Sequence, residues 1–396
     1  MSYAFYHDVI RRGHYMWEIE EMHRQYGPIV RISPDTVHVN DPEFIDQIFA
    51  GPGKKPLNPF FSKQNIRRLE TTVLEVLDRI IQRLDEHVIK KVPVNLSLLY
   101  RATTHDIIAK YAFGEDSVCF NRQDLNKPYF ESYHKMASIV KINKIKSSTI
   151  HNEENDLPES EKSPARLAEE AQNLLAAGTD STANTLSAIT YHLLSNPHIL
   201  KKLRAELQDA IPEGTVPKIS KIENLPYLSA VIQEGLRLRP AVSTRQERVS
   251  PDEDLIYTNG KTKMSYRIPA GTCMATSAVL PSRLPEIYPS PEEFRPERFL
   301  ENATLKRHQL TFSCGTRVCL GINLAYQEMY MILATLFRRC DPWDGTGDQT
   351  SMTLELFETT HDDIAIVRDL VTENIKDDSQ GVRVTMRDPS ISQVDE

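Results

Sequence analysis

The sequence lacks the features that mark several large classes of protein. Its five cysteines are odd in number and scattered over 396 residues, which argues against a disulfide framework and favours a reducing compartment. No apolar run is long enough to cross a bilayer, and residues 1–25 contain no secretory signal. A formal net charge of −8 argues against nucleic acid as a partner. We therefore expect a chain that is soluble or at most peripheral to a membrane.

The chain does contain enough apolar residues, 40%, for a large core, and much of it follows a helical pattern. We predict a mainly α fold with a minor β part, organised as one domain over residues 1–396. The predicted helices span residues 63–91, 99–113, 163–196, 199–210, 224–238 and 322–339. The other predicted features are two short strands and a helix within 26–50, strands within 253–280 around an Asn259-Gly260 turn, and an ordered proline-rich loop over 281–299.

Three segments are expected to contribute little to the core. Residues 1–25 are interpreted as an N-terminal remnant, residues 141–163 as a polar irregular loop, and residues 389–396 as a disordered tail. Such polar stretches bury too little apolar surface to offset the conformational entropy that ordering costs.

The stretch TFSCGTRVCLG places Cys319 just before the last predicted helix. The N–H groups and positive partial charge of a helix N-terminus favour a thiolate, the form that binds a metal. Gly315 can adopt a positive φ angle, and Gly321 leaves space for a flat ligand close to the backbone. Arg317 is a bidentate donor suited to a carboxylate, and Phe312 is placed to cover the sulfur. A soft anionic ligand, a gap for a flat group and a carboxylate clamp together suit haem, whose propionates need cations.

Two other interpretations of these cysteines stay open. Cys314 and Cys319 could form half of a zinc site, although no CxxC or HxxxH pair accompanies them. A buried structural cysteine is the usual interpretation of any lone cysteine, but the complete Phe-x-x-Gly-x-Arg-x-Cys-x-Gly spacing argues against it.

FSCGTRVCLG resembles the haem-binding loop of the cytochrome P-450 monooxygenases, and GTRVCLGINLAYQEMY is similar to fungal members of secondary-metabolite pathways. The resemblance implies the cytochrome P-450 fold and haem b, with Cys319 as the axial thiolate ligand of the iron. It also implies that Arg317 contacts a haem propionate. Arg245 matches the position of a second propionate contact, although Arg248 lies close to it in the sequence.

The helix predicted over 163–196 contains a polar notch, AAGTDST. Glycine inside a helix costs about 1 kcal/mol relative to alanine, and hydroxyls there can bond the carbonyl one turn back, so a simple kink is one interpretation. The notch also resembles the oxygen-activation motif of the same family. That resemblance implies that Gly178 makes room for a diatomic ligand. It also implies that Asp180 and Ser181 deliver protons, with Thr182 in support.

Glu234 and Arg237 lie three residues apart on one face of a predicted helix. The face is otherwise apolar, so both charges need further partners if they are buried. Arg298, within FRPERF, is the expected third member. The set is similar to the family's Glu-x-x-Arg motif and the arginine that completes it, which implies a structural role in locking the region of the haem loop.

The resemblance implies an enzyme that inserts one oxygen atom from O2 into a lipophilic small molecule, a terpenoid or polyketide intermediate. Electrons would come from NADPH through a cytochrome reductase docking on the cysteine side of the haem. The candidate contacts for that reductase are Lys306, Arg307, Arg338 and Arg339. The family's location is the cytoplasmic side of the endoplasmic reticulum, and the missing membrane anchor leaves a cytosolic location open.

The resemblance runs from about Tyr26 to Asp388 with two internal gaps. A family segment between GPGKK and LNPFFSKQ is absent, and so are two lid helices expected between Tyr133 and Ser163. Fewer haem contacts and easier entry of water would follow. The chain is therefore an incomplete member by this comparison, and the alternative is a truncated, non-catalytic remnant with weak or no haem binding. A third hypothesis is a haem protein that uses peroxide or rearranges its substrate.

Overall fold

The computed structural model describes residues 3–49, 58–116, 118–135, 163–346, 348–370 and 372–389. Three predictions concern segments that lie outside these residues. They are the junction after GPGKK, the polar loop 141–163 apart from its last residue, and the tail 389–396 apart from its first residue.

Helices dominate the described part of the chain, so the predicted mainly α fold with a minor β part is confirmed. The helices are α1 (Tyr3–Phe5), α2 (Tyr15–Tyr26), α3 (Pro42–Ile48), α4 (Lys63–Arg67), α5 (Glu70–Lys90), α6 (Leu96–Phe113), α7 (Lys127–Lys135), α8 (Pro164–Ser195), α9 (Pro197–Ala210), α10 (Ile219–Ile222), α11 (Pro226–Leu238), α12 (Glu297–Glu301) and α13 (Ile322–Arg339). The strands are β1 (Ile29–Arg31), β2 (Thr36–Val39), β3 (Val94–Asn95), β4 (Gln246–Val249), β5 (Leu255–Thr258), β6 (Ser265–Ile268), β7 (Cys273–Thr276), β8 (Asp341–Pro342), β9 (Thr353–Leu356), β10 (Arg368–Leu370), β11 (Thr372–Asn374) and β12 (Arg383–Arg387). Within the described ranges, no helix combines the length and the apolar character that crossing a membrane requires.

The chain divides into two compact units, the first made of Met1–Lys55, Gln233–Leu320 and Ala365–Asp378. Its main sheet has the order β1-β2-β7-β4, with β2 and β7 parallel and the other neighbours antiparallel. The amphipathic faces of α2 and α3 supply apolar side chains to this unit's core. The larger core cluster contains Val39, Phe44, Ile45, Ile48, Phe49, Tyr257, Ile268, Met274, Ala278 and Leu310.

The second unit comprises Pro56–Ile232, Gly321–Ile364 and Ser379–Glu396. It contains the long helices α5, α6, α8 and α13 together with a small sheet of order β3-β12-β9-β8. Helix α6 packs along α8, where the Tyr100 hydroxyl and Thr190 Oγ1 are hydrogen-bonded at 2.8 Å. The prediction of one domain over the whole chain stays a prediction.

Local signals set several boundaries correctly. Helix α8 begins at Pro164 after Ser163, whose hydroxyl accepts the Arg166 N–H as a helix cap, and α13 has the predicted bounds. The single helix predicted over 63–91 is wrong, because the N–H groups of Arg68 and Leu69 bond three residues back and separate α4 from α5.

The predicted strands of 253–280 are confirmed, but the Asn259-Gly260 turn is wrong in detail. The β5–β6 hairpin closes over a longer loop, in which the Asn259 N–H donates to the Met264 carbonyl at 2.9 Å and Lys263 has a φ of +61°. Strands β3, β4 and β8 to β12 were not predicted, because strands this short give little alternation to detect.

Candidate functional site

The residues from Gln309 to Cys319, here called the cysteine loop, are fixed within the first unit by side-chain hydrogen bonds. Each bond is 2.8 Å long: Gln309 Nε2 donates to the Gln233 carbonyl, Thr311 Oγ1 to the Leu236 carbonyl, and Ser313 Oγ to Gln246 Oε1. Two of these acceptors are backbone atoms near the end of α11, and the third is on β4. The loop is therefore positioned by regular elements.

The turn at Gly315 requires a glycine. Its φ is +62°, as predicted, and an added Cβ would lie 2.1 Å from the carbonyl oxygen of Phe49. A side chain here would both occupy a left-handed conformation and collide with backbone. The cysteine loop thus passes close to the chain that leaves α3.

Cys319 is exposed, and its N–H donates to the Phe312 carbonyl at 2.8 Å, which closes the loop just before α13. Cys314 differs, because it packs against the apolar core and burial raises the pKa of its thiol to about 11. Cys319 is therefore the better placed of the two to act as a thiolate. No group of three or more metal-ligating side chains occurs among the described residues, so the zinc alternative gains no further ligands for Cys314 and Cys319.

Arg248 interacts electrostatically with Arg317, the predicted propionate contact. Burial first, and then the neighbouring Arg317 guanidinium, lower the pKa of Arg248. The Arg248 guanidinium is also 4.3 Å from the centroid of the Phe49 ring. Two cations that repel each other favour an anion near them, so Arg317 and Arg248 are both candidates to bind one.

Arg245, which sequence reasoning preferred as the second propionate contact, has other partners. Its Nη2 is paired with Asp8 Oδ2 at 2.7 Å, and its guanidinium lies 4.9 Å from the centroid of the Tyr15 ring. Arg245 is therefore engaged with Asp8 and Tyr15, and its role as a propionate contact stays a prediction. Both arginines occur within RQER, and the sequence alone gave no means of separating them.

The cysteine loop fits a haem on three grounds. Cys319 is exposed, the guanidiniums of Arg317 and Arg248 interact electrostatically and can bind carboxylates, and the Phe312 carbonyl accepts a hydrogen bond from the Cys319 N–H. Gly321, the N-cap residue of α13, has no atom within 4 Å of an added Cβ, and its predicted role beside a flat group stays a prediction.

The polar notch lies in the second unit, inside a helix that continues without a break. Thr179 Oγ1 donates to the Leu175 carbonyl and Ser181 Oγ to the Ala177 carbonyl, both at 2.6 Å. The predicted bonding one turn back is confirmed, but it does not interrupt α8.

Gly178 has a packing role that the sequence did not predict. An added Cβ would lie 3.0 to 3.3 Å from side-chain atoms of Ile108 on α6. The space left by the missing side chain is filled by α6. The predicted role of Gly178, room for a diatomic ligand, stays a prediction.

The two remaining residues of the notch have partners that sequence reasoning missed. The Asp180 Oδ1 is 3.1 Å from Arg101 Nε, an ion pair that joins α8 to α6. The Thr182 hydroxyl is buried and hydrogen-bonded to the Glu328 carboxyl of α13. In the sequence, Glu328 is detectable as a charge among mainly apolar neighbours.

The structure brings Glu234, Arg237 and Arg298 together, and all three are at most 2% exposed. Arg237 forms a bidentate pair with Glu234, with Nε–Oε2 and Nη2–Oε1 both 2.8 Å, and Arg298 Nε lies 3.0 Å from Glu234 Oε1. Their other N–H groups donate to backbone carbonyls of the predicted ordered loop, at Ser282, Pro289, Ser290, Pro291 and Glu293. The triad therefore fastens that loop to α11.

The basic residues predicted to receive a reductase are largely engaged within the chain. Arg307 is paired with Glu43, Arg339 with Asp85, and the Arg338 Nε donates to the Ile211 carbonyl. These contacts give no support to a reductase surface built on Lys306, Arg307, Arg338 and Arg339.

Replacing Gly315 with alanine should destabilise the protein, whereas replacing Gly321 with alanine should leave its stability unchanged. The first substitution forces a left-handed alanine against the Phe49 carbonyl, which we expect to cost about 1–3 kcal/mol. The second adds a methyl group to open space, so it should weaken only haem binding. Urea unfolding without haem and haemin titration would measure the two effects. Equal losses of stability would contradict this assignment.

Known proteins are similar to this chain over nearly its whole length. Residues 122–360 match the family model described as cytochrome P-450. The cytochrome P-450 monooxygenase astB of Talaromyces wortmannii is 37% identical over 96% of this chain and 89% of its own length. The cytochrome P-450 monooxygenase tpcC of Cochliobolus heterostrophus is 33% identical over the same shares. N-acetyltryptophan 6-hydroxylase ivoC of Emericella nidulans is 29% identical over 97% of this chain and 89% of its own length.

Proposed function

The chain belongs to the cytochrome P-450 family, and we propose that it acts as a haem-thiolate monooxygenase on a lipophilic small molecule. The proposed substrate class is a terpenoid or polyketide intermediate of fungal secondary metabolism. NADPH would supply electrons through a cytochrome reductase, at the cytoplasmic side of the endoplasmic reticulum.

The cysteine loop carries this proposal. An exposed Cys319, the interacting guanidiniums of Arg317 and Arg248, and the glycine turn at Gly315 support it. Hydrogen bonds from Thr311 and Ser313 hold the loop to α11 and β4. Bound haem would supply the redox iron at which O2 is activated. Cys319 would hold that iron, and the two guanidiniums would hold the propionates.

The polar notch on α8 would deliver protons to the site of oxygen activation. We assign proton delivery to Asp180 and Ser181, with Thr182 in support, because a carboxylate and two hydroxyls lie within one helical turn. Arg101 orients the Asp180 carboxylate by its 3.1 Å contact. The Ser181 hydroxyl can exchange its bond to the Ala177 carbonyl for a bond to water without moving the backbone.

The decisive experiment is the spectrum of the reduced protein with carbon monoxide after reconstitution with haemin. A red-shifted Soret band is expected, because it requires an intact thiolate ligand. Product formed per NADPH consumed, with a reductase present, then measures coupling. A colourless protein after haemin addition would reject the proposal.

A truncated, non-catalytic remnant remains the second candidate, and one observation favours it. The alignment with astB occupies 448 positions, more than the 396 residues of this chain, so internal residues of that relative have no counterpart here. Missing covering segments would lower haem affinity and admit water. Haem binding without the Soret shift, or NADPH consumption without product, would support the remnant.

A further inference from the structure

Glu328 is a buried acid for which the proposed mechanism has no use. It lies on α13, is 1% exposed, and receives a hydrogen bond from Thr182 of α8. Its Oε1 is buried and has no hydrogen-bond partner in the described protein. The carboxyl therefore interacts with the polar notch through the Thr182 hydroxyl, while Oε1 has no hydrogen-bond partner in the described residues.

A carboxylate in this position would be a buried charge with no cation hydrogen-bonded to it, which is costly. Burial accordingly raises the pKa of Glu328 well above its usual value, although the Thr182 hydroxyl opposes that shift. Burial without a cation therefore favours the neutral form of this carboxyl. Its Oε1 has no hydrogen-bond partner in the described residues.

Thr182 differs from its neighbours in the notch. The hydroxyls of Thr179 and Ser181 donate to carbonyls of their own helix, whereas that of Thr182 is directed to another element. Threonine has a stiff χ1, and a partner outside the helix selects one rotamer. Glu328 is the group that makes this selection.

We propose that Glu328 is a positioning residue for proton delivery: from its buried place on α13, its carboxyl fixes the Thr182 hydroxyl at the notch. The proposal rests on the proposed function for its catalytic consequence. The contact itself can be tested without turnover.

The test compares Glu328→Gln, Glu328→Leu and Thr182→Val with the wild-type protein. Infrared spectroscopy should show a carboxylic-acid carbonyl band in the wild type that is lost in Glu328→Gln. The band should shift in Thr182→Val, because its hydrogen bond is removed. Absence of the band from the wild type, or no shift in Thr182→Val, would overturn the proposal. Urea unfolding would verify that each variant is folded, and Glu328→Leu is expected to fold because an apolar side chain suits the site.

The catalytic part of the test measures the ratio of product formed to NADPH consumed. Glu328→Leu should lower this ratio by about 10-fold, less than the roughly 100-fold expected when a positioned proton donor is removed outright. Glu328→Gln should restore most of the ratio, since its amide oxygen still accepts from Thr182. The double variant Glu328→Leu/Thr182→Val should be no worse than either single variant. Additive losses, or no rescue by glutamine, would refute the positioning role. An inactive wild type would instead refute the proposed function, and the infrared result would still decide the contact.

Discussion

Replacing Cys319 with serine is expected to abolish the red-shifted Soret band of the reduced carbon monoxide complex. A serine hydroxyl stays protonated at neutral pH and cannot replace a soft anionic sulfur. Product formation should fall to background, because the thiolate is the ligand that would equip bound haem for oxygen activation. The measurement is the reduced carbon monoxide difference spectrum at matched haem content, followed by product analysis.

Cys314→Ser is the matched control, since it changes the same atom five residues earlier on the same loop. Cys314 is half-buried, and the raised pKa of its thiol disfavours a thiolate. This variant should keep the shifted band. Retention of the band in Cys319→Ser, or its loss in a folded Cys314→Ser protein, would show that the ligand has been assigned wrongly.

The parts of the fold that the sequence predicted well depend on neighbouring residues. Ser163 and Pro164 form a cap and a first helical turn, and Asn196-Pro197 ends α8, so both ends are encoded locally. The break between α4 and α5 could not be predicted in this way. Apolar spacing continues through Leu69, and only the tightened turn in the structure separates the helices.

The same distinction between locally encoded features and long-range contacts applies to the candidate site. The positive φ of Gly315 follows from the loop sequence, and the Glu234–Arg237 pair follows from helical spacing. The choice between Arg245 and Arg248 depends instead on which side chains the sheet brings near the cysteine loop. Such contacts join residues distant in the chain, and no local pattern specifies them.

The same limit applies to Gly178. Its sequence context suggested a gap for a ligand, whereas the structure places Ile108 of α6 close to it. The partner, Ile108, is seventy residues earlier, so only the packed structure identifies it. A glycine inside a helix thus indicates that another element packs closely against it, but the sequence does not identify that element.

Replacing Glu234 with alanine is expected to lower the free energy of unfolding by about 3–5 kcal/mol. The substitution removes the only carboxylate of a triad that is at most 2% exposed, and it leaves Arg237 and Arg298 as buried, unpaired charges. The Arg295 N–H, which donates to Glu234 Oε1 at 2.8 Å, also loses its acceptor. Urea-induced unfolding, followed by circular dichroism, would measure the change.

Two further variants separate buried charge pairing from general sensitivity to mutation. Glu43→Ala removes an exposed ion pair with Arg307, whose side chains are 65% and 63% exposed, and should cost only about 0.2–1 kcal/mol. Glu234→Gln keeps an acceptor oxygen but no charge. Its loss of unfolding free energy should therefore lie between those of Glu234→Ala and Glu43→Ala. Because the triad fastens residues 281–299 to the helix that also anchors the cysteine loop, Glu234→Ala should release haem at a lower urea concentration than the wild type. Similar stability losses in Glu234→Ala and Glu43→Ala would show that the buried triad contributes no more than a surface pair.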